Sequence, residues 1–254
     1  MIRKLQNPGE AEKIFGNWPE TILWSCLSGT MGAIYAPEGK NPRSAMAVLG
    51  DFCFLAGRPD RELVLYKEAW KEKTFMILIP ENESWESILA DCHRGKIRKI
   101  TRYATKKDTV FDKRRLEEAL QSLPADYEIR KIDGEIFRRC FREEWSRDLV
   151  SQFPDYGVYE KLGIGYVVVH GKEIVCGASS YSRYPGGIEI EIDTKERWRR
   201  KGLAYVCGAR LIMACLERGL YPSWDAHSKV SLALAEKLGY QFSHAYTAYE
   251  IMEV

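Results

Sequence analysis

Residues 189–204 read EIEIDTKERWRRKGLA. Glu189, Glu191 and Asp193 alternate with Ile188, Ile190 and Ile192, the spacing of a β-strand whose successive side chains point to opposite faces. One face is isoleucine and the other is carboxylate. Three acids on one face repel one another and resist burial. They are tolerable where the face lines a wet cleft that receives a cation, or where neighbouring segments supply cations, Arg183 for instance. A carboxylate with a raised pKa in such a cleft is a suitable general base. The strand then runs into Arg199, Arg200, Lys201 and Gly202, followed by Leu203 and Ala204 at the head of an apolar helix-like stretch. A helix N-terminus presents unpaired N–H groups and the positive end of its dipole. Glycine there lets a ligand approach the backbone, and the cations add charge. Together these residues make a pyrophosphate cradle. Taken alone they make a solvated basic turn, so the surrounding elements must decide.

Those elements have a clear rhythm. Asp133 can cap a helix through GEIFRRCFREEW, and SRDLVSQF continues helical. GYVVVH, EIVCGASSYSRY and IEIEIDT are three strands joined by short Gly/Pro turns, hence an antiparallel meander. AYVCGARLIMACLERG is apolar almost all round and reads as a buried helix. YPSWDA is a short strand, KVSLALAEKLG a helix ending at Gly239, and SHAYTAYEIM a final strand. With YEIRKI in front, the order is β-αα-βββ-α-β-α-β.

The preceding part is also mixed α/β. A helix is expected in FGNWPETILWSCLSG, strands in MGAIYA, SAMAVLGDFCFLAG and TFMILIP, and a helix in SWESILADCH with Ser84 as its cap. The turn PEGKNPR joins the first strands. The boundary between a 1–123 domain and a 124–254 domain is expected where LEEALQSL gives way to the strand after Pro124. The 254 residues, 45% hydrophobic and with a net charge of +2, suit a soluble globular chain with a real core, and any nucleic-acid surface must be a local patch. The start of the chain lacks a signal-peptide core and no run is long enough to cross a bilayer, so a cytoplasmic protein is expected. Seven scattered cysteines read as buried free thiols, and no cluster has metal-ligand spacing.

In this context the 124–254 part resembles the GNAT acetyltransferase fold. Arg199-x-x-Gly202-x-Ala204 matches that superfamily's acetyl-CoA pyrophosphate loop, and Ser231 to Tyr240, SLALAEKLGY, matches its later helix. GDFCFLAG, IEIEIDT, RRKGLA and YPSWDAHSKVSLALAEKLGY carry a closer resemblance over nearly the full length, to the two-domain bacterial family typified by zwittermicin A resistance acetyltransferases. The resemblance implies an α/β (α+β) fold: a C-terminal GNAT domain with a mixed, mostly antiparallel, splayed sheet flanked by helices, behind an N-terminal mixed α/β domain. It also implies an acetyl-CoA-dependent N-acetyltransferase acting on a small-molecule amine. Backbone groups of Ile192, Asp193 and Thr194 would bond the pantetheine arm. Arg199, Arg200, Lys201, Gly202, Leu203 and Ala204 would hold the pyrophosphate, with Ser228 and Ser231 also near the cofactor. Glu191 is the expected base, nearest the middle of the splay, with Glu189 second.

Two departures stand out. Ser228 replaces a common Asn, and Ala235 stands where many relatives carry a Tyr that protonates the departing thiolate; Ser228 or Tyr246 would then do that work, or the thiolate leaves unassisted. His227 beside Asp225 is a further possible base. The basic stretch from Arg94 to Lys107 reads as a solvated helix or loop. Its other reading is a phosphate track, which would make the chain a tandem-GNAT enzyme using aminoacyl-tRNA. A non-catalytic acyl-CoA-binding module is a third reading. The N-terminal part loosely echoes the second in its meander and helix.

Overall fold

The structure is a computed structural model that describes residues 1–39, 41–71 and 73–252. In chain order the elements are β1 (Ile2–Lys4), α1 (Glu12–Phe15), α2 (Thr21–Leu27), β2 (Ala33–Pro37), β3 (Ser44–Leu49), β4 (Phe52–Gly57), α3 (Arg61–Val64), β5 (Phe75–Pro80), α4 (Glu83–Cys92) and β6 (Ile97–Thr105). They continue as α5 (Lys113–Gln121), β7 (Tyr127–Lys131), α6 (Gly134–Arg142), α7 (Tyr156–Leu162), β8 (Gly165–His170), β9 (Glu173–Tyr184), β10 (Gly187–Thr194) and α8 (Leu203–Leu216). The last are β11 (Tyr221–Ser223), β12 (Asp225–Ala226), α9 (Lys229–Leu238) and β13 (Phe242–Met252). The fold is α/β with mixed, mostly antiparallel sheets. Among the described residues no helix is long and apolar enough to cross a membrane.

The chain divides into two compact units, Met1–Arg102 with the C-terminal stretch from Ala245, and Tyr103–His244. In the first, β1 to β4 form an antiparallel meander and β5 joins β4 in parallel. β3 and β4 are buried along nearly their whole length, as continuous apolar runs dictate. The outer neighbour of β5 is the end of the chain: Tyr249 pairs with Leu78 and Ile251 with Met76. The core of this unit gathers Met46, Leu55, Leu78, Trp85, Leu89 and Ile251. Asn82, not Ser84, caps α4; its Oδ1 accepts from the N–H groups of Ser84 and Trp85. The turn expected at 37–43 includes residue 40, outside the described residues.

In the second unit a five-stranded sheet runs β11-β10-β9-β8-β7. The β7 to β10 pairs are antiparallel and β11 is parallel to β10. Helix α8, apolar but for Arg210 and Tyr205, lies buried on the isoleucine face of β10 with Ile188, Ile190, Cys207 and Leu211 in one core. Gly208 lets α9 approach closely, since a Cβ there would stand 2.9 Å from a Leu238 methyl.

Three expectations need correction. The units part at Arg102/Tyr103 and again at His244/Ala245, not at 123/124, because α5 contributes Leu116 and Ala119 to the core around α8. The basic stretch 94–107 is for the most part strand β6, Ile97–Thr105, entered through a turn. Its cations are largely engaged: Arg98 pairs with Glu250, Lys99 with Glu86 at 2.8 Å, and buried Arg102 stacks on Phe52. The helical stretch after α6 is a 3-10 segment, Glu144–Leu149, and α7 follows where no helix was expected.

Candidate active site

Strands β10 and β11 pair over only three positions, Gly187 with Tyr221, Ile188 with Pro222 and Glu189 with Ser223. Beyond Glu189, β10 stays paired with β9, while β12 turns away to pair antiparallel with Tyr103 and Ala104 of β6. At the same level β9 bulges, with Tyr181 unmatched between Ser180 opposite Ile190 and Ser182 opposite Glu189. A bulge bends and twists its strand, and the sheet splays. The gap opens into a cleft of about 530 Å³. One wall is Ile192, Asp193, Thr194, Trp198, Arg199, Arg200 and Gly202 to Tyr205; the other is His227, Ser228, Val230, Ser231 and Leu234.

The turn closing the cleft is built to leave N–H groups free. Arg199 fastens it from within, its Nε donating to the Thr194 carbonyl at 3.0 Å and its Nη2 lying 3.5 Å from Asp193 Oδ1. Lys195 ties the same turn to Glu143 at 2.9 Å and Glu173 at 2.8 Å, and Arg197 also pairs with Glu173. Arg200 has φ +63° and Gly202 φ +78°, both left-handed. Gly202 is the N-cap of α8 and offers no side chain to its first N–H groups; nothing lies within 4 Å of where a Cβ would stand. Left-handed turns at a helix start form concave anion sites, so these residues fit a pyrophosphate. Lys201 does not line the cleft; its Nζ sits 4.4 Å from the Trp198 ring centroid. On the facing wall, Ser228 Oγ accepts from Ser231 N at 3.2 Å and caps α9. Ser231 Oγ accepts from the Trp224 indole at 3.2 Å, which leaves its own hydroxyl proton to donate.

The acids occupy the opposite sheet face from α8, and their surroundings differ. Glu189 is buried at 4% exposure between Ser182 and Ser223. Nearby Tyr184 has a hydroxyl pKa raised by burial first and by the Glu189 charge after it, and that of Tyr240 is raised by burial first, then by Tyr221 and Cys215, and by Glu189 behind them. Glu191 is half-buried opposite Ser179, whose hydroxyl shares a 2.8 Å hydrogen bond with that of Tyr159. Arg183 lies opposite Ile188, on the isoleucine face. Neither Glu189 nor Glu191 lines the cleft, whose strand wall begins at Ile192. Ala235 is fully buried, in line with its having no contact with the cleft.

The structure thus brings Ile192 to Thr194, Arg199, Arg200, Gly202 to Ala204, Ser228 and Ser231 around one cleft, and sets Lys201, Glu189 and Glu191 outside it. Trp198, Tyr205, Val230 and Leu234 also line it and were not anticipated. Ser228, Ser231 and Leu234 fall three residues apart, a helical spacing that could have signalled a shared face; Trp198 and Tyr205 have no such signal.

Residues 12–249 match the family model described as GNAT acetyltransferase. The chain belongs to this family, and is an acyltransferase. It is 29% identical over 245 residues to the uncharacterized N-acetyltransferase YdfB of Bacillus subtilis, covering 90% of this chain and 89% of that one. A GCN5-related N-acetyltransferase-like protein from Streptococcus suis shares 47% identity with a TM-score of 0.92, over 97% of this chain and 98% of that one. A tandem GNAT protein from the clavulanic acid biosynthesis pathway shares the fold at TM-score 0.55 and 10% identity, over 100% and 98% of the two chains.

Proposed function

We propose that this GNAT enzyme transfers the acetyl group of acetyl-CoA to an amine of a small molecule. The observation that carries the reading is the splay: the edge of β10 from Ile190 to Thr194, which β11 leaves unpaired, leads through the short 3-10 segment Glu196–Trp198 to the left-handed turn at Gly202. Acetyl-CoA supplies an activated thioester. The backbone of Ile192 to Thr194 offers strand-like bonds to an extended amide-bearing arm. The N–H groups from Arg200 to Ala204 receive its pyrophosphate. Held by these residues, the thioester would give its acetyl group to the acceptor nitrogen, with the CoA thiolate as leaving group. The amine proton passes to a carboxylate, and Glu191 is assigned this role over Glu189: it is half-buried and so open to a water-relayed proton, whereas Glu189 is closed in.

The test begins with calorimetric titration of the purified chain with acetyl-CoA. Binding in the micromolar range, weakened about a hundredfold in Gly202→Glu, is expected, because that side chain is strained at positive φ and sets a negative charge where the pyrophosphate belongs. Unchanged binding in Gly202→Glu removes the loop assignment. Thiol release across a panel of amines then identifies acceptors, and Glu191→Gln should lower turnover by about 10²-fold or more with acetyl-CoA affinity retained. Full turnover in that variant removes Glu191 from the reaction.

A further inference from the structure

The rim of the cleft carries charge that the turn does not consume. Trp198 and Tyr205 both line the cleft, and each bears an ammonium on its ring. Lys201 Nζ lies 4.4 Å from the Trp198 centroid and Lys237 Nζ lies 4.2 Å from the Tyr205 centroid. Both lysines are exposed, and among the described residues neither has a carboxylate partner. Their neighbours behave otherwise. Lys195 is held by Glu143 and Glu173, Arg197 by Glu173, and Arg199 by Asp193. The cations that fasten the turn are neutralised by acids. The two at the rim are held by aromatic faces, which orient an ammonium without cancelling its charge. Seating a long side chain on a ring also reduces the freedom it loses when a ligand arrives.

The two lysines come from different elements. Lys201 belongs to the turn before α8, and Lys237 to the last turn of α9. Each Nζ rests on an aromatic ring that lines the cleft and not on the N–H groups at Gly202. An anion seated on those groups therefore does not satisfy the lysines, and a second anionic group is needed to do so.

We infer that Lys201 and Lys237 form a separate phosphate subsite, which selects a thioester donor whose nucleotide carries a phosphate beyond its pyrophosphate. This inference rests on the proposed donor reading. Among thioester donors the chemistry favours CoA itself, with its 3′-phosphate, over dephospho-CoA or a bare phosphopantetheine arm. An ammonium bonded to a phosphate dianion makes a charge-assisted contact. Two such contacts at an exposed rim should also be sensitive to salt.

The experiment titrates the full chain calorimetrically at low ionic strength with CoA, 3′-dephospho-CoA and 4′-phosphopantetheine, and repeats it with the Lys201→Gln, Lys237→Gln double variant. CoA should bind about tenfold or more tighter than dephospho-CoA to the unaltered chain. In the double variant the ratio should fall to about twofold or less. Tyr205→Phe, which keeps the ring beneath Lys237, should preserve the ratio, and Tyr205→Leu should reduce it. Equal affinity for CoA and dephospho-CoA, or a ratio that survives in the double variant, overturns the subsite while leaving the donor reading intact. Phosphopantetheine binding as tightly as CoA overturns it too, and directs the lysines toward an acidic carrier protein. Failure of all three ligands to bind overturns the donor reading and the subsite with it.

Discussion

The two compact units follow one order of elements but treat their central parallel strands in opposite ways. In the first, β4 and β5 stay paired from Phe52 with Ile77 to Leu55 with Pro80, and Glu81 N extends the contact to the Leu55 carbonyl at 2.9 Å. The Glu81 carboxylate accepts from Gly57 N at 2.8 Å, and the Trp85 indole donates to the Gly57 carbonyl at 3.0 Å. Helix α3 follows, a single turn capped by Asp60, whose carboxylate takes the N–H groups of Glu62 and Leu63. In the second, strand pairing stops at Glu189, the helix that follows has 14 residues, and its N-cap is a glycine with no side chain to give. The first unit fills with its own carboxylates the positions that the second leaves open. A ligand site of this kind consists of hydrogen bonds withheld from the fold, because buried or helix-terminal polar groups must find a partner somewhere.

The comparison breaks most severely if the strands are cut. Within the first unit the chain's last strand lies between β5 and β6, with its Ala248, Tyr249 and Ile251 buried. Ending the chain after His244 removes that strand from between its two neighbours. Burying a large apolar side chain contributes about 1.5–3 kcal/mol, so losing several together with their ladder approaches the roughly 5–15 kcal/mol that holds a domain. The expected result is loss of slow hydrogen exchange throughout β3, β4 and β5. Retained protection there would show that β13 is an accessory to the first unit and not a member of it.

A smaller change probes the seal itself. Glu81→Ala deprives Gly57 N–H of its acceptor at an exposed strand end, which should cost about 1 kcal/mol. Urea unfolding of the first unit should shift accordingly, and titration with acetyl-CoA should not change. If acetyl-CoA then binds at a second site, the first unit is a closed copy of the donor cleft, and Glu81 is its latch.

How much of this was legible in the residues follows from range. The meander from β8 to β10, the buried α8 and the glycine-ended α9 rest on periodicity and turn chemistry, and those signals are local. The placement of β6 and β13 is not. Arg98, Lys99 and Arg102 of β6 find their partners Glu250, Glu86 and Phe52 outside the stretch, and nothing within Arg94 to Lys107 announces them. The expected boundary at 123/124 failed for the same reason, since α5 belongs with a helix some 90 residues later. In the site, Arg199-x-x-Gly202-x-Ala204 marked the turn. Asp193 lines the cleft while Glu189 and Glu191 do not, because alternation gives a face of the sheet but not the level at which the sheet splays, and that level coincides with an unmatched Tyr181 on the neighbouring strand.

The smallest effect concerns how the two halves are fastened. The first unit secures its central strands by pairing. The second secures its open turn by charge, through Lys195 and Arg197 on Glu173. Hydrogen bonds from Lys195 and then Arg197 hold the Glu173 carboxyl at about 2, against 4.5 for a free glutamate. A carboxylate whose pKa is depressed on folding stabilises the folded state fully above its unfolded value and loses that contribution as pH falls through the folded one. The turn should therefore loosen between about pH 4.5 and pH 2. Glu86 in the first unit is also lowered, by hydrogen bonds from Lys99 and Tyr249, so global melting will fall with acid in any case. The discriminating measurement is local: hydrogen exchange at residues 195–203 as a function of pH, in the unaltered chain and in Glu173→Gln. The unaltered chain should show protection that declines across this window. The variant should start less protected and change little. An identical pH response in both would mean that Glu173 does not hold the turn, which is then left to its backbone, to Arg199 and to the Lys195–Glu143 pair.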